Sequence, residues 1–180
     1  MTPALIIVAC GAPLAARVHD LAATAIRDGW DVTVVATRAA LSWLDGEAVR
    51  RTVGRPAVTD YRIPDEPKRG DRPAAVVVCP ATFNTVNRMA LGIADSYPLG
   101  LLCEALGEGV PTFVVPMVNN RLWGHPAWGA HQAALADAGV TFLDLRTGDA
   151  GTEPVVSGTG PDVVAAFDPR WVTDRLREYL

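Results

Sequence analysis

Five short apolar runs, separated by polar or amphipathic stretches, set the pattern of the chain. Ala4-Leu5-Ile6-Ile7-Val8-Ala9, Asp31–Ala36 and Ala74-Ala75-Val76-Val77-Val78-Cys79 are almost continuously apolar rather than alternating, the signature of strands covered on both faces. Thr112-Phe113-Val114-Val115 predicts a fourth strand and Val140 to Leu145 a fifth, with Pro80 and Pro116 ending the third and fourth. Between the first two runs, Leu14 to Asp28 has helical spacing, with Leu14, Val18, Leu21, Ala22 and Ile26 on one side and Gly29 as its stop. A helix between two buried strands makes a βαβ unit, hence a parallel sheet with right-handed crossovers. Further helices are predicted around Ala40–Leu44, over Asn84–Ala94, over Leu99–Leu106 and over Trp123–Ala138, which Gly139 closes.

Three stretches break this alternation. Gly54 to Pro73 holds four prolines and is expected to be a loop around one short strand near Val58–Arg62. Gly148 to Gly160, rich in Gly, Ser and Thr, predicts a mobile flap at 148–160. Asp168-Pro169 pairs a capping residue with a proline suited to a first helical turn, so a C-terminal helix is expected over 168–180. No repeat or linker divides the chain, and residues 1–180 are expected to form one α/β domain around a doubly wound parallel sheet.

Composition narrows the function classes. With 180 residues and 49% hydrophobic content the chain can bury a core without disulfides or a structural metal. No apolar run reaches the ~18–20 residues a bilayer span requires, and the start lacks the pattern of a signal peptide, so a cytoplasmic protein with no membrane partner is expected. Sixteen basic residues against 20 acidic ones give a net charge of −4, and they are dispersed, which argues against nucleic acid. Lys68 is the single lysine, so Schiff-base or P-loop chemistry has no other lysine to use. Cys10, Cys79 and Cys103 form no C-x-x-C pair and suit a reducing compartment; with only His19, His125 and His131 besides, no metal site is expected.

In open parallel sheets, ligands collect beyond the carboxyl ends of the strands. Four segments occupy such positions: Cys10-Gly11-Ala12-Pro13, Thr37-Arg38, Pro80 to Thr85, and Pro116 to Trp123. The first is not a G-x-G-x-x-G dinucleotide fingerprint, since Gly11 stands alone.

Pro80-Ala81-Thr82-Phe83-Asn84-Thr85 resembles the PASANT motif of the flavin-containing cysteine decarboxylases. That family includes phosphopantothenoylcysteine decarboxylase and the lantibiotic-type peptidyl-cysteine decarboxylases. Met89 to Asp95 is similar to its following G-I-x-D helix ending, and Pro116-Met117-Val118-Asn119-Asn120-Arg121-Leu122-Trp123 to its P-x-M-N-x-x-M-W motif, with Val118 and Leu122 in place of two methionines. The resemblance covers roughly Leu5 to Leu145. It implies a Rossmann-like, flavodoxin-like domain that binds FMN at subunit contacts of a homotrimer or a multiple of trimers. It places Gly11, Ala12 and Thr37 near the FMN phosphate, and Thr82, Phe83, Asn84 and Thr85 near the rest of the cofactor. Asn119 matches the asparagine that holds the substrate carboxylate, in a pocket with Met117 and Trp123. The implied reaction is oxidation of a cysteine-like substrate, a small molecule or peptide with a terminal carboxylate, followed by loss of CO₂.

Three departures qualify that reading. Ala12 stands where the family usually has Ser or Thr. The family's catalytic histidine lies 14 residues before the Pro of PASANT, and that position here is Glu66, which is either a carboxylate base raised by desolvation or an exposed loop glutamate. The flap lacks the cysteine of the coenzyme A pathway enzymes, which argues against an ordinary phosphopantothenoylcysteine decarboxylase. Two other outcomes therefore stand beside decarboxylation: different flavin chemistry such as prenyl transfer, and a non-catalytic regulatory or binding protein that kept the fold. Elsewhere, His19 reads as structural or exposed, His125 as a helix start, Trp123 and Trp128 as pocket or subunit-seam aromatics, and Cys79 and Cys103 as core.

Overall fold

A computed structural model describes residues 2–63, 65 and 72–180. Its centre is a five-stranded sheet: β1 (Ala4–Ala9), β2 (Asp31–Ala36), β3 (Ala75–Ala81), β4 (Thr112–Pro116) and β5 (Val140–Phe142). The spatial order is β2-β1-β3-β4-β5, with every pairing parallel. The chain therefore winds outward from β1 to β2, then crosses back to β3. This reversal leaves a switch point between the ends of β1 and β3, where loops diverge and open a crevice.

Helices cover both faces, which explains the unbroken apolar runs. Leu5, Ile7 and Ala9 point to one core with Val77 and Val115; Val8 and Cys10 point to the other with Val76, Val78 and Val114. The first face is closed by α1 (Val18–Arg27), α2 (Gly46–Val53), α7 (Gly160–Ala166) and α8 (Arg170–Leu176), and the second by α3 (Phe83–Ala90), α4 (Tyr97–Gly107) and α6 (Pro126–Asp137). The short α5 (Asn120–Trp123) lies at the rim after β4. Trimming Ile7, which is wholly buried, to alanine would leave a cavity costing about 2–5 kcal/mol.

The elements differ from the sequence expectation where local signals were overruled. Pro80 does not end the third strand: β3 continues through it to Ala81 past a cis Cys79–Pro80 peptide, because the ladder needs only the Pro80 carbonyl, which accepts from Cys10 N at 3.0 Å. The first helix begins with a 3-10 turn over Pro13–Arg17 and becomes α-helical only from Val18. Arg38–Ser42 is also a 3-10 turn, and the helix that follows, α2, is capped by Asp45, whose side chain accepts from Ala48 N at 2.9 Å. Val58 pairs with Val35 as a lone bridge rather than a strand. The expected helix over 123–138 is two, broken at Gly124 and His125, where the His125 ring nitrogen caps α6 by accepting from Ala127 N. β5 stops at Phe142. Asp168 does not cap α8 itself; its carboxylate accepts from Arg170 N one position inside. No helix among the described residues is long and apolar enough to cross a membrane.

Candidate functional site

The crevice predicted by the strand order is a cleft of about 890 Å³ at the carboxyl ends of β1 to β4. Its floor begins at Gly11. A β-carbon there would lie 2.8–2.9 Å from Cβ, C and O of Ala39, so only glycine lets the β1 loop and the turn after β2 approach this closely. Thr37 N donates to Ala9 O at 2.9 Å, which ties that turn to β1. The Thr37 hydroxyl is nevertheless buried without a partner among the described residues. An orphaned hydroxyl lowers stability unless something fills its bonding capacity, and this one sits in the cleft wall.

The middle of the cleft is formed by the start of α3. Thr82 caps this helix, accepting from Thr85 N at 3.4 Å, and the two hydroxyls lie 3.1 Å apart. Beneath them is Cys10. Burial pushes its thiol up, and hydrogen bonds to the Thr85 side chain and the Thr82 backbone oppose that only in part. Burial also raises Cys79, with Cys10 adding to the effect. Both thiols therefore stay protonated and poorly nucleophilic, as core cysteines should.

Beyond β4, Asn119 starts α5. Its Oδ1 accepts from Arg121 N at 3.1 Å and Leu122 N at 3.0 Å. Two donors on one oxygen fix the amide plane, and the remaining polar function is the NH₂ group. The 148–160 segment borders this end. Val155 N donates to Val118 O and Asn120 N to Val155 O, at 2.9 and 3.0 Å, while Asn120 Oδ1 accepts from Ser157 N at 3.1 Å. These bonds set Val155 to Gly158 along the cleft wall.

The structure thus brings Gly11, Ala12, Thr37, Thr82, Phe83, Asn84, Thr85, Met117 and Asn119 together around one cleft. Trp123 is not among its lining residues; its ring packs on Trp128 with centroids 5.2 Å apart, and Trp128 stacks on Phe83 at 5.4 Å. Glu66 lies outside the described residues. Sequence reasoning passed over Thr59, Asp60 and Tyr61, the Arg88–Asp95 pair, and Ser96 to Leu99, all of which line the cleft. Gly100, inside α4, marks the position that Tyr61 reaches, but nothing local in the sequence pairs the two. Among the described residues no group of three metal-ligating side chains converges.

A family model described as Flavoprotein matches residues 2–165. A coenzyme A biosynthesis bifunctional protein, CoaBC, of Thermococcus kodakarensis is 26% identical over 141 residues, 76% of this chain and 35% of that protein. The chain therefore spans about a third of the length of that relative. Among solved structures, an FMN-dependent cysteine decarboxylase, TvaF, from thioviridamide biosynthesis superposes with a TM-score of 0.70 at 21% identity, covering 92% of this chain and 99% of its own. The FMN-binding protein AtHal3 superposes with a TM-score of 0.67 at 23% identity, covering 98% and 96%. At such identities the superpositions establish a shared fold.

Proposed function

Because the chain belongs to the Flavoprotein family, we propose that it binds FMN in this cleft and uses it on a carboxylate-bearing, cysteine-like substrate. Two features of the cleft fit the cofactor. Gly11 lets the β1 loop pack against Ala39 without side-chain bulk in the cleft wall, and the Thr37 hydroxyl in that turn lacks a partner among the described residues. A phosphate oxygen supplies what that hydroxyl needs. Thr82, Phe83, Asn84 and Thr85 would flank the remainder of the cofactor. Bound there, the flavin supplies a two-electron acceptor for oxidation at the thiol-bearing carbon of the substrate.

The observation that carries the substrate assignment is the locked amide of Asn119. With its oxygen committed to Arg121 and Leu122, the side chain offers N–H donors to a ligand, which suits a carboxylate and holds it without exchanging a proton. Such an oxidation would leave a thioaldehyde on the carbon next to the one that bears the carboxylate, and the electron pair released by departing CO₂ would pass into that group, giving an enethiolate. A second reading, a binding or regulatory protein, is favoured by one fact: no histidine lines the cleft among the described residues. We also infer assembly as a homotrimer or a multiple of it, which the family resemblance implies; Leu41, Trp43, Leu91, Ile93 and Leu122 are exposed apolar side chains that such contacts could cover. The three free cysteines suit a reducing compartment such as the cytoplasm.

The test is an absorbance spectrum of the purified protein with mass analysis of the released cofactor, followed by assay of CO₂ release from peptides and small acids ending in cysteine. Asn119→Ala is expected to keep its flavin and lose turnover. Unchanged turnover removes Asn119 from the reaction; a colourless protein that ignores added FMN favours the binding protein.

A further inference from the structure

The cleft has a second end whose chemistry is unlike the first. Thr59, Asp60 and Tyr61 come from the segment after α2, which is held to the sheet at Val58 by two backbone bonds, Ala36 N to Val58 O at 2.8 Å and Val58 N to Val34 O at 2.9 Å. From there the chain reaches α4, where the Tyr61 ring meets Tyr97 edge-to-face at 5.3 Å. The Tyr61 hydroxyl hangs over Gly100, so close that a β-carbon there would collide with it, and donates a long bond of 3.4 Å to Ser96 O. The ring is thus fixed by its tip and its edge, yet Tyr61 remains 59% exposed and lines the cleft. The charges flanking it are paired: Arg38 with Asp60 at 2.8 Å, and Arg88 with both oxygens of Asp95 at 2.9 and 2.8 Å. An oriented aromatic surface between neutralised ion pairs does not suit a dianion. It suits the face of a flat, uncharged conjugated ring. The cleft volume, near the top of the ~300–1,000 Å³ range of small-molecule sites, leaves room for such a ring beside a cofactor.

We propose that Tyr61, seated over Gly100 and braced by Tyr97, is a specificity-determining wall that stacks on a flat conjugated ring carried by the substrate. The proposal rests on the flavin reading of this cleft only in assigning the Gly11–Thr37 wall to the cofactor. It narrows the substrate class from cysteine-like acids in general to those that also carry a planar aromatic or heteroaromatic group.

Two acids of like size, 2-naphthoate and its saturated decahydro counterpart, separate stacking from simple burial. Their binding is measured by calorimetry on protein loaded with FMN and on protein freed of it. The flat acid is expected to bind about tenfold more tightly, the scale of one aromatic stacking contact. Tyr61→Leu should abolish that preference and Tyr61→Phe should keep most of it. Gly100→Ala, which unseats the hydroxyl, should reduce it, with circular dichroism confirming that α4 is intact. Equal binding of the two acids by the wild type overturns the proposal, as does a preference that survives in Tyr61→Leu. Displacement of FMN by naphthoate also overturns it, because the wall then belongs to the cofactor's own seat. A shift in oligomer size in Tyr61→Leu with the preference unchanged would mark a subunit contact instead. If FMN does not bind at all, the flavin reading fails, and the preference on flavin-free protein still decides the role of Tyr61.

Discussion

The two ends of the cleft are built in opposite ways. At one, Gly11 and Thr37 follow directly from β1 and β2, and backbone bonds and a glycine-only approach to Ala39 set their positions. Elsewhere along the cleft wall, Tyr61 and Val155–Ser157 belong to long connections and are held by contacts with elements remote in sequence: Gly100 and Tyr97 for one, Val118 and Asn120 for the other. The strand-anchored end inherits the stiffness of a sheet buried on both faces. The strap-anchored end depends on a few contacts each. Such a division lets one scaffold keep a common cofactor while its connections vary the substrate.

If that contrast is right, damage to the first end should be costly and damage to the second mild. The largest effect is expected for Gly11→Ala. Its new methyl meets the Ala39 backbone, and overpacking of this kind costs about 1–3 kcal/mol; thermal unfolding should register the loss, and the purified variant should carry little flavin. A variant as stable and as yellow as the wild type would remove the close approach from the account.

Thr37→Val comes next and separates stability from binding. Replacing an unpartnered buried hydroxyl with a methyl should leave stability unchanged or slightly raised, while FMN affinity falls about tenfold, the worth of one bond to a charged group. Titration and melting of the same sample check both signs, and a fall in both together would mean that the hydroxyl is structural.

The smallest effect belongs to the strap. The Arg38 guanidinium, and to a lesser degree Thr59, hold the Asp60 carboxyl below its ordinary value. A lowered folded-state value means that the pair contributes stability above the usual carboxylate range and loses it as pH falls through the folded value. Because both side chains are largely exposed, the contribution is slight and falls with salt. Asp60→Asn should therefore differ from the wild type only marginally near neutral pH, and the difference should vanish in acid. A large gap at neutral pH would show that the strap carries more than its exposed contacts suggest.

The same contrast explains what was legible in the sequence. The strands were, because Ile6-Ile7-Val8 and Val76-Val77-Val78 read as runs covered on both faces, whereas their spatial order, and with it the switch point, has no local signal and was seen only in the structure. So were the loops that close the first end, since they abut those strands. Pro80 misled because a proline removes a donor but not an acceptor, and here the acceptor is what the ladder uses. The α7 helix was missed because its seven residues follow a Gly/Thr stretch and carry one buried side chain, Val163. Tyr61 was missed for a deeper reason. Its position is written at Gly100, 39 residues away, and pairing of that kind has no local pattern.

Phosphate recognition at the strand-anchored end is what the FMN proposal depends on. Parallel titrations of flavin-free protein with FMN and with riboflavin, followed by flavin fluorescence, test it most directly, because the two ligands differ only in that group. The account predicts saturable FMN binding at least tenfold tighter than riboflavin, with the advantage reduced in Thr37→Val. Equal affinities for the two, or no saturable binding of FMN, would contradict it.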